Sequence, residues 1–194
     1  MFGSVVVNAD DVIFESIARE YGAEFYLRPH SLGSSDTRSD EVVYDFIETH
    51  PEADIVTCVN STTPLQTIEE VRQVVKHFQD KKLDSLITVR DIQSQVVLNN
   101  EPVNFNPKEL FSKSQDLTPV QFCVYSIMMW RSTCFKKNYE RDGYAMLSGR
   151  LGYFPVSKET SVFIKYKEDL DLAERILESR KKSGKEVQYF EPYA

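Results

Sequence analysis

The sequence predicts a three-layer α/β/α domain with a mostly parallel sheet and helices on both faces. Short β-branched runs such as Ile55–Val59 alternate with amphipathic segments such as 68–78, the pattern of strands joined by crossover helices. Such crossovers are right-handed in nearly all known sheets. The chain has 194 residues with an ordinary composition, 41% hydrophobic and 27% charged, which suits one domain with a real core. We therefore predict a single domain over residues 1–194.

The first half of the chain alternates strand and helix. Strands are predicted at 5–7, 23–27 and 55–59, with helices over 12–21, from 39 onward and from 67 onward. Asp10 or Asp11 can cap the first helix, and Ser39 can cap the second. Thr67 and Glu70 have the spacing of a capping box, in which each residue bonds to the backbone of the other. These caps define where the helices of this half begin.

The second half contains a hairpin and a late helix. Further strands are predicted at 85–89, 123–130, 153–156, 161–164 and 187–190, and the helix at 168–182. The apolar runs 96–98 and 103–105 flank a turn and predict a hairpin within an excursion of about 93–115, which forms a small lobe. Residues 131–150 are mixed in character and contain an Asp142–Gly143 turn signal.

Four polar side chains, Asn60 to Thr63, follow the strand Ile55–Val59. We call residues 60–63 the ledge. In open α/β sheets ligands bind at the carboxyl ends of the strands, so the ledge is the predicted binding site. For Asn60 and Thr62 the alternative is a loop that satisfies its own backbone.

The overall charge restricts the partners. A net charge of −7 argues against a general affinity for nucleic acid or for anionic membranes. No apolar run approaches the roughly 20 residues needed to cross a bilayer, and the amino terminus does not resemble a signal peptide. The three cysteines are few and widely spaced, which indicates reduced thiols and a cytoplasmic protein.

Six short motifs occur in a fixed order between residues 5 and 178. They are VVVNADD at 5–11, YGAE…RP…L…DT.S at 21–39, VNSTTPLQ at 59–66, DSLITV at 84–89, QDLTP at 115–119 and SVFIK…DLDLAE at 161–174. In this order they resemble the acylneuraminate cytidylyltransferases, the CMP-sialic acid synthetase group. The resemblance implies a nucleotidyltransferase-type, Rossmann-like fold.

The resemblance also implies an activity. These transferases activate a sialic acid or a related sugar acid with CTP, giving a CMP-sugar and pyrophosphate, and they require Mg²⁺. It implies a cytoplasmic homodimer whose partners are CTP or CMP and a sugar acid. By position in the motifs, the nucleotide-binding residues are Arg28, Ser39, Asn60 and Thr62.

Two acids match positions that bind metal or substrate in the family, Asp10 and Asp169. For Asp10 the alternative is a helix cap, and for Asp169 it is a first-turn acid favoured by the helix dipole. For Arg28 the alternative is a surface arginine. The residues themselves leave each of these alternatives open.

The chain departs from the family at its catalytic parts. Phe163 and Lys165 replace the two acids of the D-I-D motif that hold the metal in relatives, and Val124–Ser126 replaces an N-G-A pattern of the sugar pocket. The resemblance begins at the family's second strand, so we expect the first strand and its phosphate loop to be absent. Unless residues 187–190 or a neighbouring subunit fill that place, two sheet edges are left unpaired.

These departures lead to a prediction and to its rivals. We expect this chain to be a weak or inactive cytidylyltransferase. The alternative is a degenerate, non-catalytic module that binds a nucleotide or forms a dimeric interaction subunit. A glycosyltransferase ranks last, because it needs an acid-x-acid motif at a strand end and Asp10–Asp11 is contiguous.

Overall fold

A computed structural model describes residues 2–182. The strands are β1 (Val6–Ala9), β2 (Glu24–Leu27), β3 (Ile55–Val59), β4 (Ser85–Ile92), β5 (Val97–Leu98), β6 (Glu101–Pro102), β7 (Val120–Arg131) and β8 (Leu151–Pro155). The helices are α1 (Glu15–Glu20), α2 (Ser39–Thr49), α3 (Ile68–Asp80), α4 (Ser132–Asp142) and α5 (Lys167–Lys182). This alternation confirms the predicted α/β class.

The strands form three sheets. β1 pairs in parallel with β2, β5 pairs with β6, and four strands follow the order β3-β7-β4-β8. Within residues 2–182, β1 pairs only with β2 and β3 pairs only with β7, so each has one edge without a strand. The predicted strand at 187–190 lies outside the described residues.

Strand β7 is antiparallel to its two neighbours, β3 and β4. Asn60 N donates to Ser126 O at 2.9 Å, and Ser132 N donates to Asp54 O at 3.0 Å, so the residue numbers of β3 and β7 run in opposite directions. The bond from Arg131 N to Asp84 O, 2.9 Å long, begins the same antiparallel pattern between β7 and β4. The four-stranded sheet is therefore mixed, and β3 and β4 point the same way.

Strand β8 is parallel to β4. Asp84 N donates to Arg150 O at 2.9 Å, and Val156 N donates to Val89 O at 2.8 Å, so the residue numbers of both strands increase in the same direction. The carboxyl ends of β3, β4 and β8 consequently lie at one edge of the sheet. This is the edge at which open α/β sheets bind ligands.

The chain divides into two compact units. The first comprises residues 1–56, 81–85 and 129–151. Trp130 is its largest fully buried side chain, and its indole Nε1 donates to Met146 O at 2.9 Å. The Phe135 ring meets Trp130 edge-on with centroids 5.8 Å apart. Asp40 Oδ1 accepts from the N–H groups of Ala145 and Met146, which fastens the loop after α4.

The second unit comprises residues 57–80, 86–128 and 152–194. Helix α3 buries Val74, Val75 and Phe78, as its periodicity predicts. Ile68 was predicted to share that buried face, but it is 73% exposed. Ile68 is the first residue of the helix, and the buried face of α3 begins further along, at Val74, Val75 and Phe78.

The predicted capping box at the start of α3 is confirmed. Glu70 N donates to Thr67 Oγ1 at 3.1 Å, and Thr67 N donates to Glu70 Oε2 at 3.4 Å. Glu70 also accepts from Ser157 N at 3.0 Å and from the hydroxyl of Thr160. Burial alone raises the pKa of Glu70, but the hydrogen bonds from Thr160, Ser157 and Thr67 together hold it below its usual value.

The hairpin is present, with a shifted second strand. Asn99 and Asn100 both have positive φ, 51° and 66°, as a two-residue type I′ turn requires. Leu98 therefore pairs with Glu101, and the second strand is 101–102 instead of the predicted 103–105. The tight turn sets this register, because it leaves only two residues between the strands.

Three local predictions were wrong. Residues 161–164 form no strand, because Ile164 N donates to Thr62 O in the ledge at 2.8 Å and not to a neighbouring strand. The stretch 131–150, in which no helix was predicted, contains α4, which ends at Gly143 in the left-handed conformation. Ser39 is the first residue of α2 and not its cap, since Arg38 occupies the cap position.

Two expectations from composition can be compared with the structure. Over residues 2–182 no helix has the length and apolar character needed to span a membrane. All three cysteines are free, as expected of reduced thiols, and partly exposed. Burial raises the pKa of the Cys58 thiol, which keeps it protonated and unreactive.

Candidate functional site

The ledge is held by its own polar groups. Asn60 Oδ1 accepts from Thr62 N at 3.0 Å and from Thr62 Oγ1 at 2.8 Å. The loop therefore satisfies its own backbone, as the structural alternative for these residues requires. Asn60 Nδ2 has no partner among the described residues, and the Thr62 hydroxyl oxygen keeps its acceptor capacity. One amide donor and one hydroxyl acceptor are thus available to a ligand.

Gln66 locks the ledge onto β7. Its Nε2 donates to Thr63 Oγ1 at 2.6 Å and to Ser126 O at 2.9 Å. Thr63 is almost fully buried and donates in turn to Asn60 O at 2.9 Å. Gln66 therefore fixes the loop. Fixed donors and acceptors lower the cost of ordering a site when a ligand arrives.

Arg28 and Asp10 form an ion pair in the first unit. Arg28 Nη2 lies 3.1 Å from Asp10 Oδ1, and Nη1 donates to Asn8 O at 3.3 Å. The Arg28 side chain is 20% exposed, so it is not the freely solvated surface arginine of the alternative interpretation. Its Nε is buried and has no acceptor among the described residues. Buried donors are usually satisfied, so a ligand oxygen or a water is expected there.

The position of the Asp10 carboxylate requires a glycine at residue 33. A Cβ built on Gly33 would lie 1.8 Å from Asp10 Oδ2, so only glycine permits this position of the carboxylate. Asp10 does not cap the helix that follows it. Asp11 does so instead, accepting from Ile13 N at 2.9 Å. Asp10 is therefore the ion-pair partner of Arg28 and not the helix cap, and its role toward metal or substrate stays a prediction.

Ser39 and Asp169 are placed at helix starts. Ser39 is exposed, and its hydroxyl has no hydrogen-bond partner among the described residues. Asp169 Oδ2 accepts from the N–H groups of Tyr166 at 2.9 Å and Lys165 at 3.0 Å. These two bonds hold the pKa of Asp169 below its usual value. Asp169 thus acts as the first-turn acid that the alternative interpretation proposed.

The positions of the family's metal-binding acids lie beside the ledge. Phe163 and Lys165 flank Ile164, whose N–H donates to Thr62 O at 2.8 Å. Phenylalanine offers no ligand, and the Lys165 ammonium lies 5.6 Å from the Tyr166 ring centroid. No group of three or more potential metal-ligating side chains occurs in residues 2–182. With Asp169 committed to backbone donors, the described residues do not fit a metal site.

Tyr125 is a candidate functional residue that the sequence did not single out. It has φ of +58° within β7, next to the Ser126 carbonyl that accepts from the ledge. A tyrosine rarely adopts this left-handed conformation, and such strain concentrates at functional sites. A signal could have been found in the resemblance, since Val124–Ser126 lies roughly where the family has an N-G-A pattern with a glycine. Tyr125 is 47% exposed.

The strain at Tyr125 leads to a prediction. Tyr125→Gly is expected to be more stable than Tyr125→Ala by about 1 kcal/mol, because glycine adopts positive φ without the steric penalty of a Cβ. The free energies of unfolding are measured by urea denaturation.

Tyr153 is the matched control. It lies in β8, is 46% exposed and has ordinary φ. At Tyr153 the order reverses, and the alanine variant is the more stable one, since glycine weakens a strand. The same order at both positions would show that residue 125 is not left-handed.

The structure brings together one pair of the predicted residues in each unit. Arg28 contacts Asp10 in the first unit, and Asn60 contacts Thr62 in the second. Ser39 makes no hydrogen bond to Arg28 or Asp10.

Sequence comparison identifies the relatives. The model of the cytidylyltransferase family matches residues 1–191. An N-acylneuraminate cytidylyltransferase of Escherichia coli O18:K1:H7 is 28% identical over 79 residues, which are 41% of this chain and 19% of that protein. N-acylneuraminate cytidylyltransferase A of Danio rerio is 22% identical over 115 residues, which are 55% of this chain and 27% of that protein. The matches thus span about a fifth and a quarter of these relatives.

Structure comparison supports the fold. A CMP:2-keto-3-deoxy-manno-octonic acid synthetase complexed with CTP superposes with a TM-score of 0.64 at 13% identity, covering 92% of this chain and 82% of that one. A 4-diphosphocytidyl-2C-methyl-D-erythritol synthase of Anaerococcus prevotii gives a TM-score of 0.63 at 11% identity, covering 90% and 78%. At such identity these structures show the fold alone, and it is the predicted nucleotidyltransferase type. With a family model that spans nearly the whole sequence, this chain belongs to the cytidylyltransferase family.

Proposed function

We propose that this chain binds a cytidine nucleotide at the ledge and is a CTP-dependent cytidylyltransferase for a sialic acid or a related sugar acid. The observation that carries the proposal is the preorganised ledge at the carboxyl end of β3, with Asn60 Nδ2 and the Thr62 hydroxyl available to a ligand. An amide and a hydroxyl together can bond the donor and acceptor edges of a base or the hydroxyls of a ribose.

The proposed reaction transfers a cytidylyl group. The hydroxyl of the sugar acid attacks the α-phosphorus of CTP and loses its proton to solvent, the bond to the β-phosphate oxygen breaks, and pyrophosphate leaves with that electron pair. Catalysis of this kind depends on positioning and on charge stabilisation. By position in their motifs, Arg28 and Ser39 of the first unit are also proposed to bind nucleotide; among the described residues Arg28 Nε has no acceptor, and Ser39 is exposed.

Turnover by this chain is proposed to be weak or absent. Nucleotidyl transfer needs strong compensation of phosphate charge, and the described residues do not fit a metal site. The expected Mg²⁺ dependence is therefore proposed to come from Mg²⁺ bound to CTP and not from Mg²⁺ held by protein side chains. A homodimer and a cytoplasmic location remain parts of the proposal.

The second candidate is a non-catalytic nucleotide-binding or dimeric interaction module. It is favoured by Phe163 and Lys165, because a phenyl ring and an ammonium group at these positions cannot hold a divalent cation. The ledge does not depend on them, so nucleotide binding can persist where the transfer reaction is lost.

Nucleotide binding is tested by calorimetry with CMP and with CTP, each with and without Mg²⁺. Asn60→Ala is expected to weaken CMP binding about tenfold, because it removes the amide donor and both hydrogen bonds that order the ledge. Asn106→Ala is the matched control. Asn106 Oδ1 accepts from Lys108 N at 3.0 Å in an equivalent turn away from the ledge. The absence of any nucleotide binding, or equal loss in both variants, would refute the proposal.

The same titrations separate the enzyme from the module. CTP binding that Mg²⁺ strengthens supports the enzyme, and CMP binding that is indifferent to Mg²⁺ supports the module. Incubation with CTP, Mg²⁺ and N-acetylneuraminate is expected to release no pyrophosphate beyond a heat-killed control. Release above that control would contradict weak or absent turnover.

A further inference from the structure

Among the described residues, Arg90 is a fixed cation without an anionic partner. It lies near the carboxyl end of β4, where Nη1 donates to Ser161 Oγ at 3.2 Å and the guanidinium carbon lies 6.0 Å from the Phe122 ring centroid. Ser161 Oγ donates onward to Lys158 O at 2.6 Å, which fixes the acceptor. Within residues 2–182 no carboxylate forms an ion pair with Arg90. Its charge is therefore held in place and left uncompensated.

A cavity of about 340 Å³ opens beside this arginine. Arg90 and Lys158 supply two positive charges to its wall, and Ile92, Pro155 and Val156 supply apolar surface. Asp91 is the one acid in the lining, and its Oδ1 accepts from Gln121 Nε2 at 3.1 Å. The local balance is positive in a chain whose net charge is −7. A concave site with this balance attracts anions, and its volume suits a small ligand.

The cavity lies at the ligand-binding edge of the sheet. Arg90 and Pro155 stand near the carboxyl ends of β4 and β8, and the ledge follows the carboxyl end of β3. The segment that contains Ser161 also contacts the ledge, since Ile164 N donates to Thr62 O at 2.8 Å. Both features belong to the second compact unit. An anion at Arg90 is thus near the place where open α/β sheets bind their ligands.

We propose that Arg90 and Lys158 form a binding site for an anionic oxygen group, a carboxylate or a phosphate. The guanidinium group presents a planar fork of donors that matches both groups, and Ser161 and Phe122 hold that fork in one orientation. Lys158 adds a point charge at the rim. The assignment of this anion to the sugar acid or to the nucleotide of the transfer reaction rests on the proposed function.

The test uses probes that differ in charge. N-acetylneuraminate carries a carboxylate, its methyl ester does not, and inorganic phosphate carries the other anionic group. Each is titrated into the full chain while calorimetry and the ¹⁵Nε signals of the arginines are recorded. We expect wild-type protein to bind at least one anion, to shift the Arg90 signal and to bind the ester about tenfold more weakly than the acid. Comparison of the titrations with N-acetylneuraminate and with phosphate shows whether the site prefers a carboxylate or a phosphate.

Two substitutions and a control make the assignment specific. Arg90→Gln is expected to weaken anion binding about tenfold, and Arg90→Lys less, because lysine keeps the charge but loses the fork. Arg72→Gln removes an exposed arginine of α3 and is expected to change nothing. Far-ultraviolet circular dichroism confirms that each variant is folded. The proposal would be overturned if Arg90→Gln and Arg72→Gln bound the anion with equal affinity, or if acid and ester bound with the same measurable affinity. It would also be overturned if wild type bound no anion.

A failure of the Arg90 anion site can be told apart from a failure of nucleotide binding at the ledge. CMP is titrated into the same preparations. CMP binding without any Arg90-dependent anion binding defeats this inference and leaves the ledge intact. Arg90-dependent anion binding without CMP binding supports this site and defeats the cytidine-nucleotide proposal.

Discussion

Gly149→Ala is expected to lower the free energy of unfolding by about 3 kcal/mol, the sum of backbone strain and a steric clash. Gly149 has φ of +70°, a conformation in which a Cβ is strained. An added Cβ would lie 2.5 Å from Asp84 Cβ and 2.8 Å from Cys134 Sγ. Asp84 cannot move freely, because its Oδ2 accepts from Arg150 N at 2.8 Å and its Oδ1 lies 3.6 Å from Arg131 Nε.

Gly143→Ala separates strain from clash. Gly143 also has positive φ, 77°, but nothing lies within 4 Å of a Cβ built there. This variant is expected to lose only about 1 kcal/mol, the cost of the left-handed conformation alone. Urea denaturation followed by circular dichroism measures both. Similar losses at Gly149 and Gly143 would mean that the close approach to Asp84 has no energetic consequence.

Trp130→Ala is expected to cost about 3–5 kcal/mol, the range for removing a buried aromatic side chain. Trp130 is fully buried, packs edge-on against Phe135 at 5.8 Å and donates to Met146 O at 2.9 Å. Its loss leaves a cavity and removes the only bond from this side chain to the loop after α4. Because Trp130 is the one tryptophan of the chain, unfolding of the variants is followed by circular dichroism.

Trp130→Phe keeps an aromatic ring in the core and removes the indole N–H. It is expected to cost about 1–2 kcal/mol, which is the loss of one hydrogen bond and part of the buried area. If the alanine variant is no less stable than the phenylalanine variant, packing around Trp130 does not determine the stability of this unit.

The second compact unit has a cationic sheet edge. Lys165 stands at a family metal position, and Arg90 and Lys158 line the nearby cavity. Of the two positions that match the family's metal-binding acids, one holds Lys165, which itself attracts anions, and the other holds Phe163. Binding of a nucleotide or sugar acid is therefore compatible with this edge, even though the described residues offer no cage for a divalent cation.

Much of the architecture could be predicted from local patterns. The strand Ile55–Val59, the buried face of α3 and the Thr67–Glu70 capping box were predicted correctly, because each depends on residues within a few positions of one another. The family was recognised from motif order, which also requires no three-dimensional information. The Asn60–Thr62 turn was foreseen as one of two alternatives for the same reason.

Other features were decided by contacts between residues distant in the sequence. Residues 161–164 have a strand-like composition, but Ile164 bonds to the ledge about a hundred residues earlier. The pairing of Arg28 with Asp10 depends on the parallel contact of β1 and β2. Arg90 and Lys158 are 68 positions apart, and only the parallel packing of β4 and β8 places both beside one cavity. The sequence alone determined the fold class and the family, whereas tertiary structure decided which charges remain available to a ligand, because charge pairing depends on distances that local patterns do not encode.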